Sequence, residues 1–371
     1  MKPIVPSSFL FLCLSLGIFN SCSKKNNSTP SLVVSSINPT HGTGGDTVTI
    51  TGSGFNASPS LDSVWVNGKL TSPITASPTQ LQVTVPSLCG TGNVKVSANG
   101  TTGIGPVFTY DTTYLLSTFA TGLNNPQYLA IDGSGNLFVT NFGNQTISKI
   151  TPTASVTTFV SGIDQPTGIT IDGADNLYVA SNSPLNTCAI LKISASAAVD
   201  TLADFTGYVY GLTIDNSGNI YAANSQAGAI SMITGNGTVS TFAGGLGGIS
   251  GITRSSNGNL YAVSQSNNAV YKITPDGTVS EVQNQLNVGG PVGIAVDNGN
   301  NLYFTLLGSN PLGQSNAITE ISASGSISTL TTGLYNPCGL IRDANGDFYV
   351  VNSLFSDPNT LAATISKLTA R

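Results

Sequence analysis

The sequence predicts an all-β chain in which an immunoglobulin-like sandwich is followed by a six-bladed β-propeller. Three observations predict it. Glycine supplies 42 of 371 residues while apolar residues stay at 40%, a balance that suits many short strands joined by tight turns. Only 8% of residues are charged and the sole glutamates are Glu281 and Glu320, which excludes long amphipathic helices, whose solvent faces need Lys, Glu and Arg. Finally, a motif of apolar and aromatic residues recurs six times in the C-terminal two thirds of the chain.

In chain order, residues 1–21 read as a signal peptide: Lys2 gives a thin positive start, and the apolar run Phe9 to Phe19 is too short to span a bilayer. Cys22 follows directly. The stretch Ile18-Phe19-Asn20-Ser21-Cys22 resembles a bacterial lipobox, although Phe19 and Asn20 depart from the residues favoured there. That resemblance implies that Cys22 is lipidated and becomes the mature N-terminus, so that one partner of the protein is a membrane. Residues 22–30, with Lys24, Lys25, Asn26 and Asn27, form a polar tether. The expected location is the bacterial cell envelope, outside the cytoplasm and on the outer membrane.

Residues 31–110 alternate apolar and polar positions in short runs separated by turn signals: Asp46 to Thr51, Ser63 to Asn67, Gln80 to Val85 and Asn93 to Ser97. Some 80 residues of this kind fit a two-sheet sandwich. Ile37-Asn38-Pro39 with Gly42, Gly44 and Gly45, then Ile50-Thr-Gly-Ser-Gly-Phe55, Val66-Asn-Gly68 and Val83-Thr-Val-Pro86, resemble the IPT/TIG family. Membership implies a spacer or interaction domain without an active site.

Residues 115–371 repeat. The second residues of Asn136-Leu-Phe-Val, Asn176-Leu-Tyr-Val, Asn219-Ile-Tyr-Ala, Asn259-Leu-Tyr-Ala, Asn301-Leu-Tyr-Phe and Asp347-Phe-Tyr-Val lie 40 to 46 residues apart, the period of propeller blades. Each unit has a first strand ending near Asp, a Gly/Asn turn, this second strand, then a third such as Ile147 to Ile150 and a fourth such as Val156 to Val160. Consecutive apolar residues in the second strand fit a blade buried on both faces. The chain ends on a third strand, Ile365 to Leu368, so Leu115 to Phe119 is expected to close the ring as the outer strand of the last blade. The pattern resembles NHL-repeat propellers and, more broadly, the six-bladed superfamily that includes gluconolactonase-like enzymes. It departs from the NHL pattern where Asn141, Ser181, Asn224, Ser264, Leu306 and Asn352 replace the usual Asp.

Charge and residue counts exclude several chemistries. A net charge of −5 with scattered basic residues argues against nucleic acid. The single histidine, His41, sits in the turn Pro39 to Gly42, which excludes triads and multi-histidine metal sites. Cys89, Cys188 and Cys338 are far apart; buried free thiols are the default and a Cys188 to Cys338 bridge the alternative. Asp132, Asp172, Asp215, Asp297 and Asp343 recur once per blade, which suits carboxylates accepting turn amides better than a metal site. Neither metal nor cofactor is expected.

The candidate ligand face is the channel mouth formed by loops entering the first strands and joining the second to the third. Its inner ring consists of Gln127, Thr167, Tyr210, Ser250, Val292 and Cys338, with Asn141, Asn224 and Asn352 outside it. Long connections at Asn182 to Ala189, Leu307 to Ala317 and Ser353 to Thr364 add apolar Leu185, Leu307, Leu312, Leu354 and Phe355 to the rim. Neutral donors and acceptors of this kind suit a glycan, a peptide or a partner protein; the alternative is that the Asn residues only cap strand ends. The expected function is a non-catalytic binding module. The competing class is a propeller enzyme of lactonase or lyase type, but the calcium site of the gluconolactonase-like enzymes needs a Glu, absent before Glu281, and lyase relatives rely on His.

Overall fold

The computed structural model describes residues 31–283, 286, 290–307, 316–353 and 363–370. Residues 1–30, including Cys22, lie outside them, as do Leu312, Leu354 and Phe355. The chain divides into two compact units between Asp111 and Thr112. Both are built of strands, and the only helical turn among the described residues is Pro59–Leu61.

The first unit is a sandwich. One sheet runs Val33–Asn38, Thr47–Ser53, Gln80–Thr84, Pro73–Ser77; the other runs His41–Gly42, Thr101–Tyr110, Gly92–Ala98, Asp62–Val66, Lys69–Thr71. Alternate residues point inward, so Ile50, Val64, Leu81, Val83, Val96 and Phe108 form a core sealed from water. His41 is not a simple turn residue: it pairs in parallel with Thr109, and its Nδ1 lies 2.6 Å from Asp111 Oδ2.

The second unit is the six-bladed propeller. Blade 1 consists of Pro126–Ile131, Leu137–Asn141, Thr146–Ile150 and Val156–Ser161, all antiparallel, from the channel outward. Blades 2 to 5 repeat it, with first strands Pro166–Ile171, Val209–Ile214, Ile249–Arg254 and Gly290–Val296. Blade 6 takes Pro337–Arg342, Phe348–Asn352 and Ala363–Ala370 from the chain's end and Tyr114–Leu123 from its beginning. The expected closure is present: Leu115 pairs with Thr369 and Leu116 with Leu368. Every residue of Leu137–Asn141 and of Phe348–Asn352 is buried, because the second strand of a blade is covered by a neighbour on each side. Tyr128, Phe138, Ile147, Ile169, Leu177 and Ile193, for instance, form one cluster across blades 1 and 2.

Candidate functional site

The first strands surround the channel, and their sequence decides how wide it is. Directly after the inner-ring residue of the first strand, blades 2 to 6 carry Gly168, Gly211, Gly251, Gly293 and Gly339, whereas blade 1 carries Tyr128. A Cβ on Gly168, Gly251 or Gly293 would sit 2.5, 2.3 and 2.3 Å from the next blade's Tyr210, Val292 and Cys338 carbonyl oxygens. Glycine is therefore required for the inner strands to close up. Tyr128 occupies the room this leaves: it is buried, and its hydroxyl donates to Ser250 O at 2.8 Å, on the blade diametrically opposite. The ring spans the channel and divides it into an upper mouth and a lower half.

The upper mouth is the predicted ligand face. The register brings the predicted residues to one level: Pro126 pairs with Asn141, Val209 with Asn224 and Pro337 with Asn352. Most of their polar groups are already engaged. Thr167 Oγ1 donates to Val209 O at 2.6 Å and Ser250 Oγ to Pro291 O at 2.8 Å, each bonding one blade to the next. Gln127 Nε2 reaches Asn125 Oδ1 at 2.9 Å and Ser353 Oγ at 3.4 Å across the closure between blades 1 and 6. Asn141 and Asn352 donate to Ser148 Oγ and Ser366 Oγ within their own blades, and Asn224 donates to Thr206 O. All six are buried. Their amides and hydroxyls hold the blade tops together.

Tyr210 is the exception. It is half-buried, and its ring lies 4.9 Å from that of Tyr208, a residue the sequence reading missed because it precedes the strand. Neither phenol has a hydrogen-bond partner among the described residues. Burial raises both, Tyr208 to about 12, and burial also pushes the Cys338 thiol up to about 12. The titratable groups that the inner strands bring to this mouth thus stay protonated at neutral pH, and none is poised for proton transfer.

Two other features differ from expectation. The blade 2 connection is no open loop: its extra residues lengthen a hairpin that pairs Asn182 with Cys188 and leaves Leu185 at the tip, 84% exposed. Asn182, one position past the aligned Ser181, supplies the buried amide here, donating to Thr167 Oγ1 at 2.7 Å and Val209 O at 2.9 Å. The blade 5 and blade 6 connections are outside the described residues over 308–315 and 354–362. Cys89, Cys188 and Cys338 are all free and buried, so no bridge joins the last two.

On the lower face the repeated Asp residues hold their turns. Asp215 Oδ1 accepts from Ser217 N and Asn219 N, both at 2.8 Å, while Oδ2 accepts from Asn219 Nδ2 at 2.9 Å and Tyr221 OH at 3.2 Å. Asp172 and Asp297 repeat this arrangement, Asp132 does so without the phenol because residue 138 is phenylalanine, and in blade 4 Asn257 Oδ1 accepts from Asn259 instead. No group of side chains able to hold a metal ion occurs among the described residues. Between this face and Tyr128 lies a cavity of about 240 Å³ lined by all six first strands, with Arg342 its one charged lining residue.

Fold and site together define a six-bladed propeller with a plugged channel, carried behind an IPT/TIG sandwich that matches that domain over residues 32–113. The chain belongs to the virginiamycin B lyase family, which it matches over residues 117–351. Similar solved structures include a Bacteroides thetaiotaomicron protein of unknown function (17% identity, 92% of this chain and 98% of that one, TM-score 0.60). An auxiliary nutrient binding protein from the same organism has 16% identity over 91% and 97% of the two chains, TM-score 0.55. A catalytically inactive histidine-to-alanine virginiamycin B lyase from Staphylococcus aureus, solved with quinupristin, has 17% identity over 93% and 96%, TM-score 0.52. At such identities the likeness is one of fold. Among curated proteins none matches.

Proposed function

We propose that this chain is a lipid-anchored protein of the bacterial cell envelope whose propeller binds a glycan, peptide or partner protein without transforming it. The sandwich serves as a spacer from the membrane. The observation that carries the non-catalytic reading is the missing imidazole: the sequence has one histidine, His41, and it lies in the sandwich beside Asp111. The staphylococcal lyase is inactive once a histidine is alanine. Support for binding comes from the uncommitted Tyr208 and Tyr210 at a mouth whose other groups are neutral, and from a fold shared with an auxiliary nutrient binding protein. Aromatic rings with free hydroxyls suit sugar rings and peptide side chains alike.

The mature protein is expected to retain members of a glycan and peptide array, and to lose them on Tyr208→Ala with Tyr210→Ala; retention that survives both changes overturns the upper-mouth site. Cys22→Ser is expected to move the protein from membrane to soluble fractions, because stable anchoring needs two or more acyl chains; unchanged membrane association overturns the anchor. The second reading, a lyase, is favoured by the family match itself. Turnover of quinupristin by the purified chain would establish it in place of the first.

A further inference from the structure

The lower half of the channel differs chemically from the upper. Upper hydroxyls bond blades together: Thr140 Oγ1 donates to Thr167 O and Thr305 Oγ1 to Cys338 O, both at 2.7 Å, as Thr167 and Ser250 do with their neighbours. Below Tyr128, Thr170, Thr213 and Thr253 line the cavity from three adjacent blades, and their hydroxyls have no partner among the described residues. The opposing arc is apolar, with Ala130, Ala295 and Ile341 from blades 1, 5 and 6. Arg342 completes the wall, with its guanidinium turned over the Phe348 ring and its Nε sealed from the cavity.

These groups make a blind pocket with one polar and one apolar side. Its 240 Å³ equals on the order of eight waters of liquid volume, room for one small ring. Charge narrows the ligand further. The first-hairpin turns on this face carry Asp132, Asp172, Asp215, Asp297 and Asp343, against Arg254 and Arg342 at the ends of the first strands, so an anion meets a net negative surround. We propose that this pocket binds a single neutral polyhydroxylated molecule of monosaccharide or small-polyol size. The threonine arc hydrogen-bonds its hydroxyls, and the alanine and isoleucine side meets its C–H face. The site is separated from the upper mouth by the Tyr128 ring and does not depend on it.

The test is calorimetric titration of the mature protein with D-glucose, D-galactose, L-arabinose and myo-inositol, with D-gluconate as the anionic control. At least one neutral compound is expected to bind one to one, and gluconate more weakly. Thr170→Val and Thr213→Val preserve shape and β-branching while removing a hydroxyl, and each is expected to weaken binding about fivefold to tenfold. Thr213→Ser restores the hydroxyl and is expected to restore affinity, which separates a lost contact from a damaged fold. Tyr208→Ala and Tyr210→Ala are expected to leave this binding unchanged. Absence of saturable binding, tighter binding of gluconate, or affinity indifferent to both valine changes would each overturn the proposal, and loss on Tyr210→Ala would move the site to the upper mouth.

Discussion

Thr305→Val tests whether side-chain hydroxyls hold the blades together. Thr305 is 0% exposed; its Oγ1 accepts from Gly293 N at 2.8 Å and donates to Cys338 O at 2.7 Å, linking blades 5 and 6. Valine has nearly the same volume, so no cavity opens and no packing is lost. What changes is that a buried N–H and a buried carbonyl lose their partner with no water at hand. Each unpaired group costs about 1–3 kcal/mol, so the expected loss is about 3 kcal/mol, and Thr305→Ser recovers most of it. With a urea slope of about 3 kcal/mol/M the midpoint falls by about 1 M. The assay follows far-UV circular dichroism together with fluorescence of the chain's single tryptophan, Trp65, which lies in the sandwich. The propeller transition moves and the Trp65 transition stays. A shift under about 0.5 kcal/mol, or an equal shift for serine and valine, would refute the reasoning.

Removing Tyr114–Leu123 exposes the edge of Ala363–Ala370, so the shortened propeller is expected to melt earlier and to associate in gel filtration; nearly unchanged stability would contradict closure by this strand. Burial works to raise the Asp172 and Asp215 carboxyls, but donors from Asn176 and Asn219 outweigh it and hold them below the usual range. The stability they contribute is complete above the unfolded value of about 3.9 and is lost as pH falls through their lower folded values. The deficit of Asp215→Asn relative to the native chain at pH 7 should therefore shrink in acid, and a deficit constant with pH counts against this. Burial pushes Cys188 and Cys338 up to about 12 and also raises Cys89, so in mature Cys22→Ser protein these three thiols should resist Ellman's reagent until urea unfolds the chain. Reaction in the native state would contradict their burial.

Repetition made the propeller legible. A residue type that returns every 40 to 46 positions carries its structural reason with it, so the turn role of Asp132 to Asp343 and the pairing of Leu115 with the chain's end could be read without coordinates. The sandwich was harder. Thr101–Tyr110 contains Gly103, Gly105 and Pro106, which argue against a strand, yet the register shifts there to form a bulge. Gly105 is needed because a Cβ would meet Val34 Cγ1 at 2.3 Å. At the upper mouth, alternation identified which residues share a level but not where their hydrogen bonds go. That depends on the neighbouring blade, about forty residues away, and on single-residue offsets such as Asn182 standing one place past Ser181.

The residues that distinguish this channel are those that break the repeat. Blades 2 to 6 place glycine where the inner strands nearly touch, and blade 1 places Tyr128, whose ring needs the space the glycines leave and whose hydroxyl reaches the opposite blade. At the end of the first strand Ile131, Ile171, Ile214 and Val296 are apolar, while blades 4 and 6 substitute Arg254 and Arg342. Arg254 Nη1 reaches Asn216 Oδ1 at 3.4 Å, and Arg342 lies over Phe348. The frame does not demand identical residues in every blade, since Gln127, Thr167 and Ser250 differ at one level and yet each bonds its blade to a neighbour. Tyr128 is a departure of another kind, because it stands where every other blade carries glycine and its hydroxyl bonds the opposite blade, so it closes a channel that the repeat alone would leave open.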